Sequence, residues 1–354
     1  MKILIIFLII IILLLSIFTN VNYINNKFTR TIITWPLIIT LGIIFGWRPL
    51  EDFTDTYNYT VFFYNYKNHT LLNALEVTPM EKGYTTFQWI ISQYTNSYSI
   101  FLFLVFILSI LLIVLCYRKI FFENYLFAMF AFIFSPLFDG LYGNIIRTGI
   151  AFGFFMLGSI YIFQHKKIRG SLLLLISSTF HITLLPFTIV LILINIKKYG
   201  FIFYIVIWFI SSILFLTKSQ LKLLPILTKL DKIDYYAGAT AFQSYGNSGM
   251  RLDFFLFNLF LIVILFIGNK YIFEFKNEII NYYLKLTLIA SIVFHFLGFI
   301  AFSDRVALYV WHFFLVTFLV MVIEINKKYI IILPLYLLFS ILIGIAFKSY
   351  IFFH

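Results

Sequence analysis

Long apolar runs follow one another through this chain, and they restrict its fold more than any other feature. A helix needs about 20 mainly apolar residues to cross the hydrocarbon core of a bilayer. In lipid the backbone must satisfy its own hydrogen bonds, so unbroken runs of this length predict helices. A β-barrel would instead show alternating segments of about ten residues. Apolar windows of spanning length lie near 2–19, 31–46, 99–117, 120–138, 145–163, 170–195, 200–217, 252–268, 279–301, 306–323 and 329–347.

Composition supports a membrane protein. Of 354 residues, 62% are hydrophobic and 11% are charged, whereas soluble domains average roughly 25% charged residues. The single cysteine, Cys116, excludes an intramolecular disulfide and a cysteine-based metal cluster. We therefore predict an all-α, polytopic integral membrane protein with about 10–11 transmembrane helices. One membrane domain would cover 1–354, with two long polar loops at 47–98 and 218–251.

The net charge of +12 does not indicate a nucleic-acid partner, because the lysines stand at the ends of apolar runs. Such placement is typical of the positive-inside rule. Three basic clusters share one side if every segment between them spans, and that side would be cytoplasmic. The N-terminus, the 47–98 loop and 139–144 would then lie outside. The clusters are Lys27/Arg30, Arg118/Lys119 and Lys166/Lys167/Arg169.

The segment 170–195 permits two topologies. It contains the polar run 177–179, then His181 and Pro186, and a proline inside a helix removes a hydrogen bond and favours a kink. If the segment spans, the 218–251 loop is cytoplasmic, whereas if it breaks and re-enters, that loop lies outside. Lysine and arginine counts further along the chain do not decide. We favour a broken or re-entrant segment for the reason that follows.

Four arginines lie at the edges of apolar segments and away from the basic clusters: Arg48, Arg147, Arg251 and Arg305. With re-entry all four face the outside, against the positive-inside trend, which indicates an anionic ligand there. The planar guanidinium suits phosphate because it binds two oxygens at once and stays charged. Arg147 is expected in the first turn of a helix, where the amides also attract anions. Snorkelling or structural pairing is the alternative for each arginine.

Acidic and aromatic residues follow the second segment in 46–57. Asp52 and Asp55 are candidate general bases toward a sugar hydroxyl, and Tyr57 is a candidate for packing on a sugar ring. The alternative is a solvated loop. His181 lies deep in an apolar run, where a histidine is either a structural hydrogen-bond partner or a functional group. We predict no metal and no cofactor, and the 51–55 carboxylates are the one place where a metal could bind.

The order and spacing of several short motifs resemble the EpsG-like branch of the Wzy polymerases. The Arg-centred motif has the form N-x-x-R-x-x-x-A, with Thr148 where the family commonly has Gln. The resemblance covers nearly the whole chain. The matching residues are Arg48…Asp55-Thr56-Tyr57, Glu81…Gly83-Tyr84, Asn144–Ala151, Phe180-His181 and Arg305…Tyr309.

This resemblance implies a GT-C-like helical enzyme of the bacterial inner membrane. Such an enzyme joins oligosaccharide repeat units carried on undecaprenyl diphosphate, at the outer face, into O-antigen, capsule or exopolysaccharide. Its partners are the lipid-linked oligosaccharide, membrane lipid and a chain-length regulator protein. In this interpretation Asp52, Asp55 or His181 accepts the hydroxyl proton. The diphosphate is bound by Arg48, Arg147, Arg251 and Arg305, and the glycan is bound by Tyr57, Tyr84, Tyr142 and Tyr309.

Two other functions fit a membrane protein of this kind. A flippase or transporter of lipid-linked oligosaccharide usually shows internal repeats, and the sequence shows none. A membrane acyltransferase that modifies polysaccharide would need a catalytic histidine on a loop, and His181 has no partner visible in the sequence. The glycan left by a deletion separates the three functions.

Overall fold

The computed structural model describes residues 27–53, 55–194, 196, 199–223, 250–301 and 303–326. Within these ranges the regular structure is helical, so the predicted all-α class is confirmed. The predicted segments 2–19 and 329–347 lie outside the described residues, as does most of the 218–251 loop. The helices are α1 Lys27–Gly46, α2 Thr56–Tyr66, α3 Leu71–Val77, α4 Lys82–Tyr94, α5 Tyr98–Phe121, α6 Tyr125–Ile133, α7 Pro136–Asp139, α8 Ile146–Phe163, α9 Lys167–Phe180, α10 Leu185–Leu193, α11 Phe201–Leu216, α12 Leu252–Ile272, α13 Glu278–Leu297 and α14 Ser303–Asn326.

Five helical segments of the described chain are long and apolar enough to cross a membrane, and each coincides with predicted windows. They are Tyr98–Ile133, Ile146–Phe163, Leu252–Ile272, Glu278–Leu297 and Ser303–Asn326. Shorter apolar helices occur at Arg30–Gly46, Ile182–Leu193 and Phe201–Leu216. The chain is therefore a multi-pass membrane protein.

The described residues divide into two compact units, one ending at Leu184 and the other covering Leu185–Ile325. The single membrane domain stays a prediction. The first unit is built on α1, α5, α8 and α9. Small residues bring α8 and α9 together, since a Cβ on Gly158 would lie 3.0 Å from the carbonyl oxygen of Gly170.

Helix α8 runs parallel to α5, because later residues of one contact later residues of the other. Cys116 Sγ lies 3.7 Å from the carbonyl oxygen of Gly153, and Lys119 Nζ lies 5.1 Å from the ring of Tyr161. At about 1.5 Å per helical residue, the first turn of α8 lies on the order of 10 Å inward from the first turn of α5. Side chains in the first turn of α8 therefore lie deeper in the first unit than the N-terminal end of α5.

The three basic clusters lie at one end of the first unit. The ring of Tyr161 is contacted by Lys119 at 5.1 Å and by Lys166 at 5.8 Å. The hydroxyl of Tyr125 donates to the carbonyl oxygen of Arg30 at 3.3 Å, and the Arg118 guanidinium lies 5.5 Å from the same ring. The start of α8 is at the opposite end.

The 47–98 region contains structure that the sequence analysis did not assign. It forms a 3₁₀ turn and the helices α2, α3 and α4. None of these helices is an apolar run of spanning length, so the hydropathy pattern did not reveal them. The region is anchored to the membrane helices, since Phe63 of α2 stacks on Phe101 of α5 with ring centroids 4.8 Å apart.

The predicted break in 170–195 is confirmed. Helix α9 ends at Phe180, and His181 has an extended backbone with φ −155° and ψ 118°. A 3₁₀ turn at Ile182–Leu184 follows, and α10 begins at Leu185. Pro186 thus lies in the first turn of α10, where a missing amide is tolerated. Re-entry of the chain after this break stays a prediction.

Several polar side chains inside the second unit are hydrogen-bonded to other side chains or to backbone carbonyls. His295 Nδ1 lies 2.8 Å from the hydroxyl of Ser211, and Trp208 donates to the Ser291 hydroxyl at 2.8 Å. Lys285, in the middle of the apolar helix α13, donates to the carbonyl oxygens of Tyr199 and Ile196 at 2.8 and 3.2 Å. These contacts satisfy groups that would otherwise be costly in lipid.

Candidate functional site

A buried ion pair joins the start of α8 to the start of α4. Arg147 Nη1 lies 2.5 Å from Glu81 Oε2, and the two side chains are 11% and 5% exposed. Arg147 Nε donates to the hydroxyl of Tyr59 at 3.3 Å. The guanidinium also packs against the rings of Tyr59 and Tyr84, with its carbon 5.5 and 5.9 Å from the centroids. Arg147 is therefore held by one carboxylate, one tyrosine hydroxyl and two aromatic rings.

A π-helical turn places Arg147 at this point. Residues Gly140–Asn144 form the turn, and α8 begins at Ile146, so the prediction of Arg147 in the first turn is confirmed. Gly149 permits the turn to lie close to α8, because a Cβ there would be 2.7 Å from the carbonyl oxygen of Leu141. The guanidinium and the helix amides are therefore located together, as an anion site requires.

The second oxygen of Glu81 reaches the break after α9. Glu81 Oε1 lies 3.3 Å from His181 Nδ1, and it accepts a hydrogen bond from the backbone amide of Ile182 at 3.2 Å. Glu81 is the N-cap residue of α4, yet its side chain makes no capping bond to its own helix. The sequence showed no partner for His181, and the structure provides one in Glu81.

Helices α4 and α9 lie close enough for the Glu81 carboxylate to reach His181. A Cβ on Gly83 would lie 2.8 Å from the carbonyl oxygen of Thr179 and 2.9 Å from its Cβ. The ring of Phe180 packs between neighbours, 5.5 Å from Phe154 and 6.4 Å from Phe87. Glu81 consequently links α4, α8 and the break after α9 within the first unit.

Arg48 is buried in a different set of contacts. Its Nη1 donates to the carbonyl oxygen of Tyr142 at 3.1 Å, and its Nη2 donates to the hydroxyl of Thr56 at 3.0 Å. The guanidinium carbon lies 4.9 Å from the centroid of Phe53. Burial lowers the pKa of Arg48 to about 10, although the charge of Asp52 acts in the opposite direction. Arg48 therefore joins the loop after α1 to the π-helical turn.

The acidic loop is held against the start of α8. The backbone amide of Asp55 donates to Asn144 Oδ1 at 3.0 Å, which places the 48–57 loop beside the 144–151 motif. Asp52 is exposed in a 3₁₀ turn, and Tyr57 is 62% exposed. Asp52 and Tyr57 are thus exposed, whereas Asp55 is partly buried and contacts Asn144 just before α8.

Two predicted glycan-binding tyrosines of the first unit are buried. Tyr84 has no exposed surface, and burial raises the pKa of its hydroxyl well above the ordinary value. Tyr142 packs against the rings of Phe106 and Phe138, with centroids 5.8 and 5.0 Å away. Tyr84 borders Arg147 directly, whereas Tyr142 supports the turn that carries it.

Arg251, Arg305 and Tyr309 belong to the second unit. Arg251 forms two-pronged hydrogen bonds with Asp253, including Nη2 to Oδ2 at 2.5 Å, and these bonds raise its pKa. Arg305 is buried in the first turn of α14. Tyr309 follows four positions later on the same face, with its ring 5.2 Å from Phe187.

Glu81 is the residue of this cluster that the sequence did not single out. It is among the residues that carry the resemblance, but nothing local in the sequence connects it to Arg147, 66 positions away. The available signal was an acidic residue at the start of a short helix, three positions before a buried tyrosine. Among the described residues, no group of three or more His, Cys, Asp or Glu side chains is placed to hold a metal ion.

Comparison with known protein families gives a match over nearly the whole chain. The model described as "EpsG family" matches residues 31–353, which is nearly the whole chain and includes every residue of the site. Comparisons with curated proteins and with solved structures give no match.

Proposed function

The chain belongs to the EpsG family, a polysaccharide polymerase-like family, and from that premise we propose that it joins oligosaccharide repeat units carried on undecaprenyl diphosphate. The growing chain would be the donor, and the next lipid-linked unit would be the acceptor. The single observation that carries the proposal is the recessed Arg147, held at a helix start beside Glu81 and His181. A cation so placed suits a diphosphate.

The chemistry needs a leaving group and a proton acceptor. The acceptor hydroxyl oxygen forms a bond to the anomeric carbon of the donor. The bond from that carbon to the diphosphate oxygen breaks, and the electron pair leaves with the diphosphate. The hydroxyl proton passes to Nε2 of His181 and then to water. Arg147 stabilises the negative charge that develops on the leaving diphosphate.

The remaining predicted residues have supporting roles in this proposal. Arg48 already donates to Tyr142 and Thr56, so it shapes the wall of the site and adds positive charge. Asp55 lies near the acceptor path as a second candidate base, and the more exposed Asp52 and Tyr57 contact the glycan at the rim. The diphosphate-binding roles predicted for Arg251 and Arg305 and the glycan-binding role predicted for Tyr309 stay predictions.

We place the reaction at the extracytoplasmic face of the bacterial inner membrane. Support comes from the first unit, where all three basic clusters lie at one end and the Arg147 cluster lies toward the other. The positive-inside rule assigns the basic end to the cytoplasm. The diphosphate of a lipid-linked unit in the outer leaflet would then lie at the depth of the first turn of α8, where Arg147 could bind it.

The test uses cells that lack this protein and produce variants of it. Arg147→Ala should abolish polymer while single-repeat glycan and protein abundance are retained, because the lost contact acts in the transition state. Arg169→Ala is the matched control, since Arg169 is an exposed arginine of the basic end. Long chains made by Arg147→Ala would refute the diphosphate assignment. Loss of all outer glycan in the deletion strain would indicate a flippase instead.

A further inference from the structure

Glu81 contacts both Arg147, the proposed diphosphate ligand, and His181, the proposed base. One carboxylate oxygen faces Arg147 Nη1 at 2.5 Å, and the other faces His181 Nδ1 at 3.3 Å. The carboxylate is buried, and it is held in place by the amide of Ile182. A buried carboxylate that is committed to two functional groups, and not to its own helix, requires an explanation beyond helix capping.

We propose that Glu81 is a positioning residue that occupies Arg147 until the donor diphosphate arrives and orients His181 through Nδ1. This inference rests on the proposed function and adds to it a mechanism by which donor binding prepares the base. Glu81 touches neither the donor nor the acceptor.

The effect on His181 follows from the tautomer. The 3.3 Å contact between His181 Nδ1 and Glu81 Oε1 favours the tautomer that has its hydrogen on Nδ1, and in that tautomer Nε2 carries no proton and is the basic nitrogen. A carboxylate behind a histidine also raises its basicity and fixes its ring orientation. Glu81 from α4 faces the imidazole through Oε1, and its other oxygen is paired with Arg147 from α8.

The effect on Arg147 follows from competition between anions. In the donor-free site the charge of Arg147 is neutralised by Glu81, so a diphosphate must displace the carboxylate to reach the guanidinium. The displaced carboxylate keeps its contact with His181 through Oε1. Donor binding thus shifts the charge of Glu81 toward the base that accepts the acceptor proton. A ligand shifts such an equilibrium only by its different affinity for the two arrangements.

This double role predicts an unusual kinetic signature for Glu81→Gln. The assay supplies membranes that contain each variant with the lipid fraction extracted from the deletion strain, and it measures chain growth per molecule of protein. The maximal rate should fall by about 10- to 100-fold, as for lost supporting contacts to a functional histidine. The donor amount that gives half-maximal rate should fall by about threefold, because Arg147 no longer has a competing anion.

Two further variants separate positioning from structure. Glu81→Asp keeps the charge and should retain more of the rate than Glu81→Gln, with little change in the half-saturating donor amount. His181→Asn keeps a donor near the Nδ1 position and lacks the basic nitrogen, so it should lose rate without the shift in half-saturation. If Glu81 acts through His181, the double variant should be no slower than His181→Asn alone. Glu76→Gln is the control, because Glu76 is exposed at the end of α3.

The outcomes distinguish the two hypotheses. If the wild type elongates glycan and Glu81→Gln matches it in rate and half-saturation, the role of Glu81 is wrong and the proposed function stands. The same holds if rate losses of the single variants simply multiply in the double variant. If Glu81→Gln is poorly folded, a Glu81→Asp variant as slow as Glu81→Ala overturns the inference. Failure of wild-type membranes to elongate any glycan overturns both proposals.

Discussion

Gly83 of α4 lies against Thr179 of α9 so closely that a Cβ at position 83 would come within 2.8 Å of the Thr179 carbonyl oxygen. The Thr179 hydroxyl lies closer still to that Cβ and could rotate aside, whereas the carbonyl oxygen is backbone and cannot. Two positions before Gly83 is Glu81, and two positions after Thr179 is His181. The close approach of the two helices therefore sets the distance across which the carboxylate reaches the imidazole.

Replacement of Gly83 by alanine should move α4 away from α9. We expect a loss of about 1–3 kcal/mol in stability, the usual effect of overpacking, and a fall in polymer larger than the fall in protein abundance. The measurement pairs glycan chain length with thermal unfolding of the solubilised protein. Gly200→Ala is the control, because nothing lies within 4 Å of a Cβ there. Normal polymer in Gly83→Ala would mean that the helix spacing does not matter to the site.

Arg48 and Arg147 should respond differently to truncation. Arg48→Ala leaves the carbonyl oxygen of Tyr142 and the hydroxyl of Thr56 without their donor, which costs about 1–3 kcal/mol per buried group. Folded protein and polymer should fall together in this variant. Arg147→Ala should instead lose polymer with little loss of protein. Quantitative blotting of membranes beside glycan gels compares the two, and equal abundance of Arg48→Ala and wild type would contradict the structural role.

Orientation can be tested by cysteine labelling. Asn68 lies in the region between α2 and α3, and Lys167 lies at the basic end. A membrane-impermeant maleimide should label Asn68→Cys in intact cells and Lys167→Cys only after permeabilisation. The native Cys116 is fully buried, so it should give little background. The reverse pattern would overturn the proposed side of the reaction.

Lys285 should stabilise the second unit through its hydrogen bonds to the carbonyl oxygens of Ile196 and Tyr199. Lys285→Met keeps the length of the side chain and removes the donor. We expect about 1–3 kcal/mol of destabilisation, the range for hydrogen bonds that involve a charged group. Lys270→Met, at an exposed position of α12, is the control. Thermal unfolding in detergent measures both, and equal melting temperatures would show that the contact contributes little.

Features that depend on neighbouring residues were predictable from the sequence. The apolar runs predict helices because the bilayer leaves the backbone no other partner. The break near His181 follows from the polar run 177–179 and Pro186, and the structure has it at His181. The position of Arg147 in the first turn of a helix follows from the turn residues before it. Each of these inferences uses a window of about twenty residues or fewer.

Helices α2, α3 and α4 were not predictable in the same way. They are short and mixed in polarity, and isolated helices of this length are marginal in water without tertiary support. Packing stabilises them, as the stacking of Phe63 on Phe101 illustrates. The sequence therefore predicted a polar loop at 47–98, and the helices within it depend on tertiary contacts such as those with α5.

The sequence by itself determined that this chain crosses the membrane as helices, where one helix breaks, and that Arg147 begins another. Only the tertiary structure decided that Glu81 pairs with Arg147 and His181. The same is true of the hydrogen bonds that Arg48 donates to Tyr142 and Thr56. The physical reason is range. Backbone hydrogen bonding and transfer into lipid act on adjacent residues, whereas a buried ion pair depends on which helices lie side by side. Glycines such as Gly83 and Gly149 set that arrangement, and their effect appears only after the chain has folded.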